Sequence, residues 1–208
     1  MIRVSNEHPK AMEFTSFKQK EGVTDDELIR AAMAFESEFL TKQPGVIFHC
    51  LVRNFSGDYA NVLFAKAKED ISNLEKAARN DPNAGAFFGM IDMGSVKMTT
   101  QSIEKDFSVP AHFSCVEYGS FSLKSNDYDT LQRVSESIER DYLSQFENTR
   151  AHFVGRQNEN LYTEVTFGAT LGKTKEVCMG YIGNPICQPM LDMADEKSMQ
   201  LDFWYVIA

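Results

Sequence analysis

Two histidines stand at matched places in this 208-residue chain, each with an arginine four residues on: His49 with Arg53, and His152 with Arg156. On a strand that spacing puts imidazole and guanidinium on one face. There the imidazole could serve as a general base and the guanidinium could hold an anionic group. The same residues also suit a purely structural polar strip, each His bonded to a Glu of the next strand. Three carboxylates extend the list of reactive groups. Glu13, Glu117 and Glu164 each alternate with apolar neighbours. Inside a barrel they would be acids or bases with raised pKa, and at a rim they would be solvated. His49 and His152 are therefore the candidate catalytic residues. Arg53, Arg156, Glu13, Glu117 and Glu164 are the candidate ligand-binding residues.

Other chemistries find little footing. Ser16 and Ser120 sit in no GxSxG elbow. Histidines and carboxylates show no HxH or HxxE spacing, so no metal site is expected. The glycines form neither GxGxxG nor a Walker pattern, and no cofactor is implied. A net charge of −9 without a basic stripe argues against nucleic acid and against an anionic membrane surface. Met1 to Lys10 is polar, and no apolar run approaches transmembrane length. Cys50, Cys115, Cys178 and Cys187 make no CxxC pair and read as buried free thiols, which points to the cytoplasm.

The elements that must position these groups occur twice. His49, Arg53, Val62, Phe64, Pro82, Met90, Asp92 and Ser95 recur 103 residues later as His152, Arg156, Val165, Phe167, Pro185, Met193, Asp195 and Ser198. Leu28, Arg30, Glu36 and Leu40 recur as Leu131, Arg133, Glu139 and Leu143. Before them the offset is 104, with Glu13, Ser16, Phe17 and Lys20 matching Glu117, Ser120, Phe121 and Lys124. One offset held so widely predicts two copies of a single unit, 1–108 and 109–208.

Within the first copy, Met12 to Lys20 reads as a strand. Thr24-Asp25-Asp26-Glu27 is a capping box. Leu28, Ala32, Phe35 and Phe39 then share a face, so a helix is expected to about Lys42, stopped by Pro44-Gly45. Val46–Arg53 and Tyr59–Lys66 are strands joined by an Asn/Gly/Asp turn. A helix over Lys68–Asn80, a short helix over Asn83–Ile91 and a strand over Ser95–Ile103 complete the copy. The second copy reads likewise, with strands Phe113–Lys124, Thr149–Gln157, Leu161–Ala169 and Ser198–Ile207. Its helices are expected over Tyr128–Phe146, Thr174–Gly183 and around Pro189. The order is β-α-β-β-α-β, an α+β ferredoxin-like unit with antiparallel sheet. Both faces of the second strand carry apolar residues, which suits sheets packed face to face as an intrachain pseudo-dimeric α/β barrel.

Met12-Glu13-Phe14-Thr15-Ser16-Phe17-Lys18, the Pro44-Gly45 stop and Tyr59-Ala60-Asn61-Val62 resemble the dimeric α/β-barrel superfamily. Its members include antibiotic-biosynthesis monooxygenase-like and stress-responsive barrel proteins. Asn184-Pro185-Ile186-Cys187-Gln188-Pro189 and its counterpart from Asp81 to Phe88 are similar to a subgroup of it. That resemblance implies the fold in two tandem copies and a small apolar or aromatic ligand, and it allows a homodimer. This chain departs from the pattern in several places. The Trp that many relatives carry after the third strand is Ala65 in one copy and Gly168 in the other, and the one tryptophan is Trp204. Thr100 and Phe203 stand where a last-strand His is common. No histidine falls on an expected helix, so no haem ligand is in view.

Three classes of function fit. One is a tandem barrel that binds a small ligand. A second, implied by the resemblance, is a cofactor-independent monooxygenase or isomerase acting on a small aromatic or quinone-like substrate. A third is a non-catalytic interaction or structural module. Phe87-Phe88-Gly89-Met90 and Met190-Leu191-Asp192-Met193 could line a pocket or fill a core. Gly180 and Gly183 weaken the second copy's second helix, each costing about 1 kcal/mol against Ala. The two copies are therefore expected to have drifted into non-equivalent cavities, one ligand-sized pocket being bordered by His49 or by His152 but not equally by both.

Overall fold

Thr24 opens the first long helix as its spacing to Glu27 predicts. The Thr24 Oγ1 accepts from the Glu27 amide, and the Glu27 carboxylate takes the Thr24 N–H at 2.9 Å. Such a cap is worth about 1 kcal/mol. Asp25, Asp26 and Glu27 add negative charge at the positive end of the helix dipole. The computed structural model describes residues 1–208. Its elements are β1 (Ile2–Arg3), β2 (Ala11–Gln19), α1 (Asp25–Ala34), β3 (Val46–Asn54), β4 (Tyr59–Ala65), α2 (Lys68–Ala78), α3 (Pro82–Phe88) and β5 (Ile91–Ser102). They continue with β6 (Cys115–Phe121), α4 (Tyr128–Asp141), β7 (Thr149–Arg156), β8 (Tyr162–Gly168), α5 (Leu171–Met179), α6 (Gln188–Met193) and β9 (Gln200–Val206).

The chain divides into two compact units, residues 1–109 with 206–208, and residues 110–205. In the first, the antiparallel order is β1-β3-β4-β2-β5. The short β1, on Ile2↔His49, has no counterpart in the sequence reading, because two residues in a polar stretch carry no period to detect. Residues 207–208 bond to Leu51 of β3, which explains their place in this unit. In the second unit the order is β7-β8-β6-β9, again antiparallel.

Helices cover one face of each sheet. In the first unit Leu28, Ala32, Phe35, Ile71 and Leu74 meet Phe17, Leu51, Tyr59 and Leu63. In the second, Leu131, Ile138 and Val177 meet Phe121, Val154 and Tyr162. Met12, Phe14, Phe48, Cys50, Val52, Val62 and Phe64 alternate with the helix-facing set and are buried too.

Three helices depart from expectation, the one expected over Tyr128–Phe146 giving way after Asp141 to a 3-10 turn over Leu143–Gln145. The helix expected to reach Lys42 is α-helical only to Ala34. It then widens into a π turn over Phe35–Phe39 and tightens into a 3-10 turn over Leu40–Lys42. Such wide turns commonly accompany functional sites. The second copy's helix over Thr174–Gly183 lies earlier, at Leu171–Met179, with Gly180 as its C-cap and Gly183 at φ +75°.

Candidate functional site

Each unit holds a cavity between its helices and its sheet. The floor of the first is a strip across three strands: His49 of β3, Asn61 and Leu63 of β4, and Glu13 and Thr15 of β2. Period-two alternation places these residues on the helix side. Leu74 and Ala78 of α2, with Phe35 and Phe88, close the walls, and Ile91, Val96 and Met98 of β5 complete them. The volume is about 180 Å³.

His49 is held on both sides. Its Nδ1 lies 2.8 Å from Glu36 Oε1 and its Nε2 lies 3.0 Å from Asn61 Oδ1. Phe35 packs edge-on against the ring at 6.0 Å. Burial alone would raise the Glu36 carboxyl. The hydrogen bond and charge of His49, joined by the Met1 ammonium at 3.1 Å, hold it below its ordinary value. His49 can therefore exchange a proton with a ligand only by giving up one of its bonds. Glu13 is different. It accepts from the Thr15 hydroxyl at 2.6 Å and otherwise faces the cavity. Burial pushes its carboxyl up, Thr15 and His49 oppose that, and Glu75 on the rim adds to it.

The second cavity, about 160 Å³, uses positions 103 or 104 residues later but other chemistry. Glu117 and Glu164 lie on its floor beside Gly119, and Tyr181 stands where the first cavity has Ala78. His152 is buried and does not line it. Its Nε2 donates to Glu164 Oε1 at 2.9 Å, and Tyr181 Oη donates to the same oxygen at 3.0 Å. Burial, with the charge of Glu164, pushes Glu117 up to about 8, opposed by Cys178. The Cys178 thiol and Tyr181 phenol are raised as well, by burial first and then by these carboxylates.

His49 and Glu13 thus share one cavity, while Glu117 and Glu164 share the other. The polar-strip pairing of each His to a Glu of the next strand occurs at His152, whereas His49 takes Glu36 from the helical segment and Asn61 from the strand. Arg53 and Arg156 border neither cavity. Arg53 bonds Asp25 at 2.5 Å and lies over Tyr59, while Arg156 lies over Tyr128. The expectation of one ligand-sized pocket gives way to two cavities, of which only the first is bordered by its histidine.

Glu36, Asn61, Cys178 and Tyr181 were not singled out from sequence. Glu36 had a signal: it lies four residues after Ala32 and three before Phe39, so a charge sat inside the apolar stripe. Tyr181 had none, since it lies just beyond its helix.

No family model matches the chain, and no curated protein matches it. Solved structures do. A provisionally assigned monooxygenase from Fusobacterium nucleatum is 14% identical with a TM-score of 0.68, over 97% of this chain and 94% of that one. An anthrone oxidase-like protein is 12% identical with a TM-score of 0.61, over 100% and 94%. An uncharacterised ferredoxin-fold protein from Listeria monocytogenes, related to antibiotic biosynthesis monooxygenases, is 10% identical with a TM-score of 0.57, over 96% of each chain. At such identity the likeness is one of fold: α+β, antiparallel, ferredoxin-like and similar to monooxygenase-like structures. No helix is long and apolar enough to cross a membrane.

Proposed function

We propose that this chain is a tandem pair of ferredoxin-like units whose first cavity binds a compact, largely apolar molecule through Glu13. The observation that carries the binding role is a half-buried carboxyl opening onto an otherwise mostly apolar cavity. With its pKa raised, Glu13 can donate to a carbonyl or phenol oxygen while the walls take a ring. A cavity of about 180 Å³ is close to the ~150 Å³ that accommodates benzene, which sets the ligand at about one ring. The tandem reading is supported by bonds recurring at the sequence offset. Ser95 Oγ takes the Lys18 amide and donates to Asp92, and Ser198 Oγ takes the Ser122 amide and donates to Asp195.

A second reading, proton transfer to or from such a ligand, is favoured by the same carboxyl beside an anchored imidazole. Abstraction of an acidic C–H or O–H proton by Glu13 would begin either an isomerisation or a cofactor-independent oxygenation. The monooxygenase and anthrone oxidase-like descriptions of the structural neighbours support that class. Titration with single-ring phenols and quinones, read by thermal shift, tests the binding role. Saturable binding lost in Glu13→Leu, which removes the donor, is expected, and no binding by any of them overturns it and leaves the interaction-module reading. Oxygen uptake without added metal, abolished by the same change, marks the enzyme.

A further inference from the structure

The second cavity carries a different recognition problem from the first. Two carboxyl groups open onto it, and no Lys, Arg or His is among its lining residues. Glu164 receives His152 and Tyr181 on one oxygen, Oε1, which leaves its Oε2 without a protein donor. Glu117 is almost wholly buried and its carboxyl receives no backbone N–H; the Cys178 thiol bonds it, Thr166 lies opposite it on β8, and Tyr142, Tyr181 and Cys115 feel its charge. The floor is therefore rich in acceptors and poor in cations. Phe121, Met179, Ile182, Leu191, Met199 and Leu201 form apolar walls, and Met179, Ile182, Met199 and Leu201 are exposed at the mouth.

We propose that this cavity binds a small primary amine with an apolar body, its ammonium seated between Glu117 and Glu164. An ammonium brings up to three donors and no acceptor, matching this floor. Its charge offsets two carboxylates that cannot both ionise in the empty site without strong mutual repulsion. A neutral alcohol of the same shape supplies one donor and no charge. A volume of about 160 Å³ limits the body to roughly one ring or a short chain, the rest lying against the methionine-lined mouth. Nothing in this proposal depends on the ligand of the first cavity.

The groups around Glu117 set its proton balance: Glu164 from β8 with His152 of β7 behind it, Cys115 of its own strand, Cys178 from α5, and Tyr181 and Tyr142 from the helical layer. Glu117 keeps its proton near neutrality in the free protein. Seating an ammonium makes its carboxylate the favoured form, so the proton leaves to solvent while the amine stays protonated. Affinity must then rise with pH until Glu117 is ionised in the free protein too.

Isothermal titration of the full chain with 2-phenylethylamine between pH 6 and 8.5, in buffers of different ionisation enthalpy, tests this. Expected are saturable binding, proton release on binding near neutral pH, and affinity that rises across the range. At least a tenfold loss is expected in Glu117→Gln, an isostere of the protonated acid that should fold normally. Glu164→Gln gives an independent second variant with the same expected loss. Equal or tighter binding of 2-phenylethanol overturns the proposal, as do binding without proton release, unchanged affinity in both variants, or no amine binding at all.

Discussion

At the scale of single residues, the acids divide by what surrounds them, and pH separates them. Glu36 is held below its ordinary pKa by His49, so its contribution is present above the unfolded value and is lost as pH falls through the folded one. Glu117 is the opposite case. Its folded pKa is raised, so between the unfolded value near 4.5 and about 8 the folded state binds the extra proton and stability falls as pH rises. Glu117→Gln should therefore leave stability near pH 4.5 almost unchanged and increase it progressively towards pH 8. Melting curves across that range check it, and a gain independent of pH would contradict it. His49→Ala should cost about 3–5 kcal/mol in urea unfolding, since it strips the main partner from buried Glu36. Glu36→Gln keeps one hydrogen bond to the ring, so it should cost less and should flatten the acid limb of the stability profile. The histidines were visible in the sequence as a matched pair. Their partners were not, because an acid reaching His49 comes from thirteen residues upstream through a wide helical turn that no regular period describes.

At the scale of elements, strands and the Thr24 cap were legible because alternation and Thr24/Glu27 chemistry are local. What escaped was non-local packing, and Gly168 shows why. A Cβ there would sit 1.8 Å from Thr174 Oγ1 and 2.9 Å from Cys115 Sγ. In the first unit the corresponding positions hold Ala65, Ile71 and Ala11, all buried. The two trios fill similar space with different divisions of volume, so no single position betrays the arrangement. Gly168→Ala should cost about 1–3 kcal/mol through overpacking, and Thr174→Ala in the same chain should recover part of it. A double-mutant cycle in urea measures the coupling. Strict additivity would mean that the strand yields and that the Thr174 hydroxyl is not what excludes a side chain.

At the scale of the whole molecule, the two cavities occupy corresponding places in the proposed duplication yet differ at the positions that decide their chemistry. Asn61 in one stands where Glu164 stands in the other, and Ala78 stands where Tyr181 stands. Tyr181 fills space and fixes Glu164, whereas Ala78 leaves room for a ring above Glu13 and leaves Asn61 to His49. Swapping that one position should therefore move a property between units. Ala78→Tyr should occupy the first cavity and lower affinity for single-ring phenols at least tenfold, at an overpacking cost of about 1–3 kcal/mol. Because Glu117 and its neighbours are untouched, the fall in stability between pH 4.5 and about 8 should persist in that variant. Tyr181→Ala should do the converse. It removes one of the two donors on Glu164 Oε1 and opens space beside Glu117, whose raised pKa rests first on burial, so the fall in stability between pH 4.5 and about 8 should shrink while phenol binding continues. Phenol titration and melting curves on the same two proteins read both properties. Loss of phenol binding in Tyr181→Ala, or disappearance of the Glu117-dependent fall in Ala78→Tyr, would show that the cavities are not chemically separate and that their ligands cannot be assigned unit by unit.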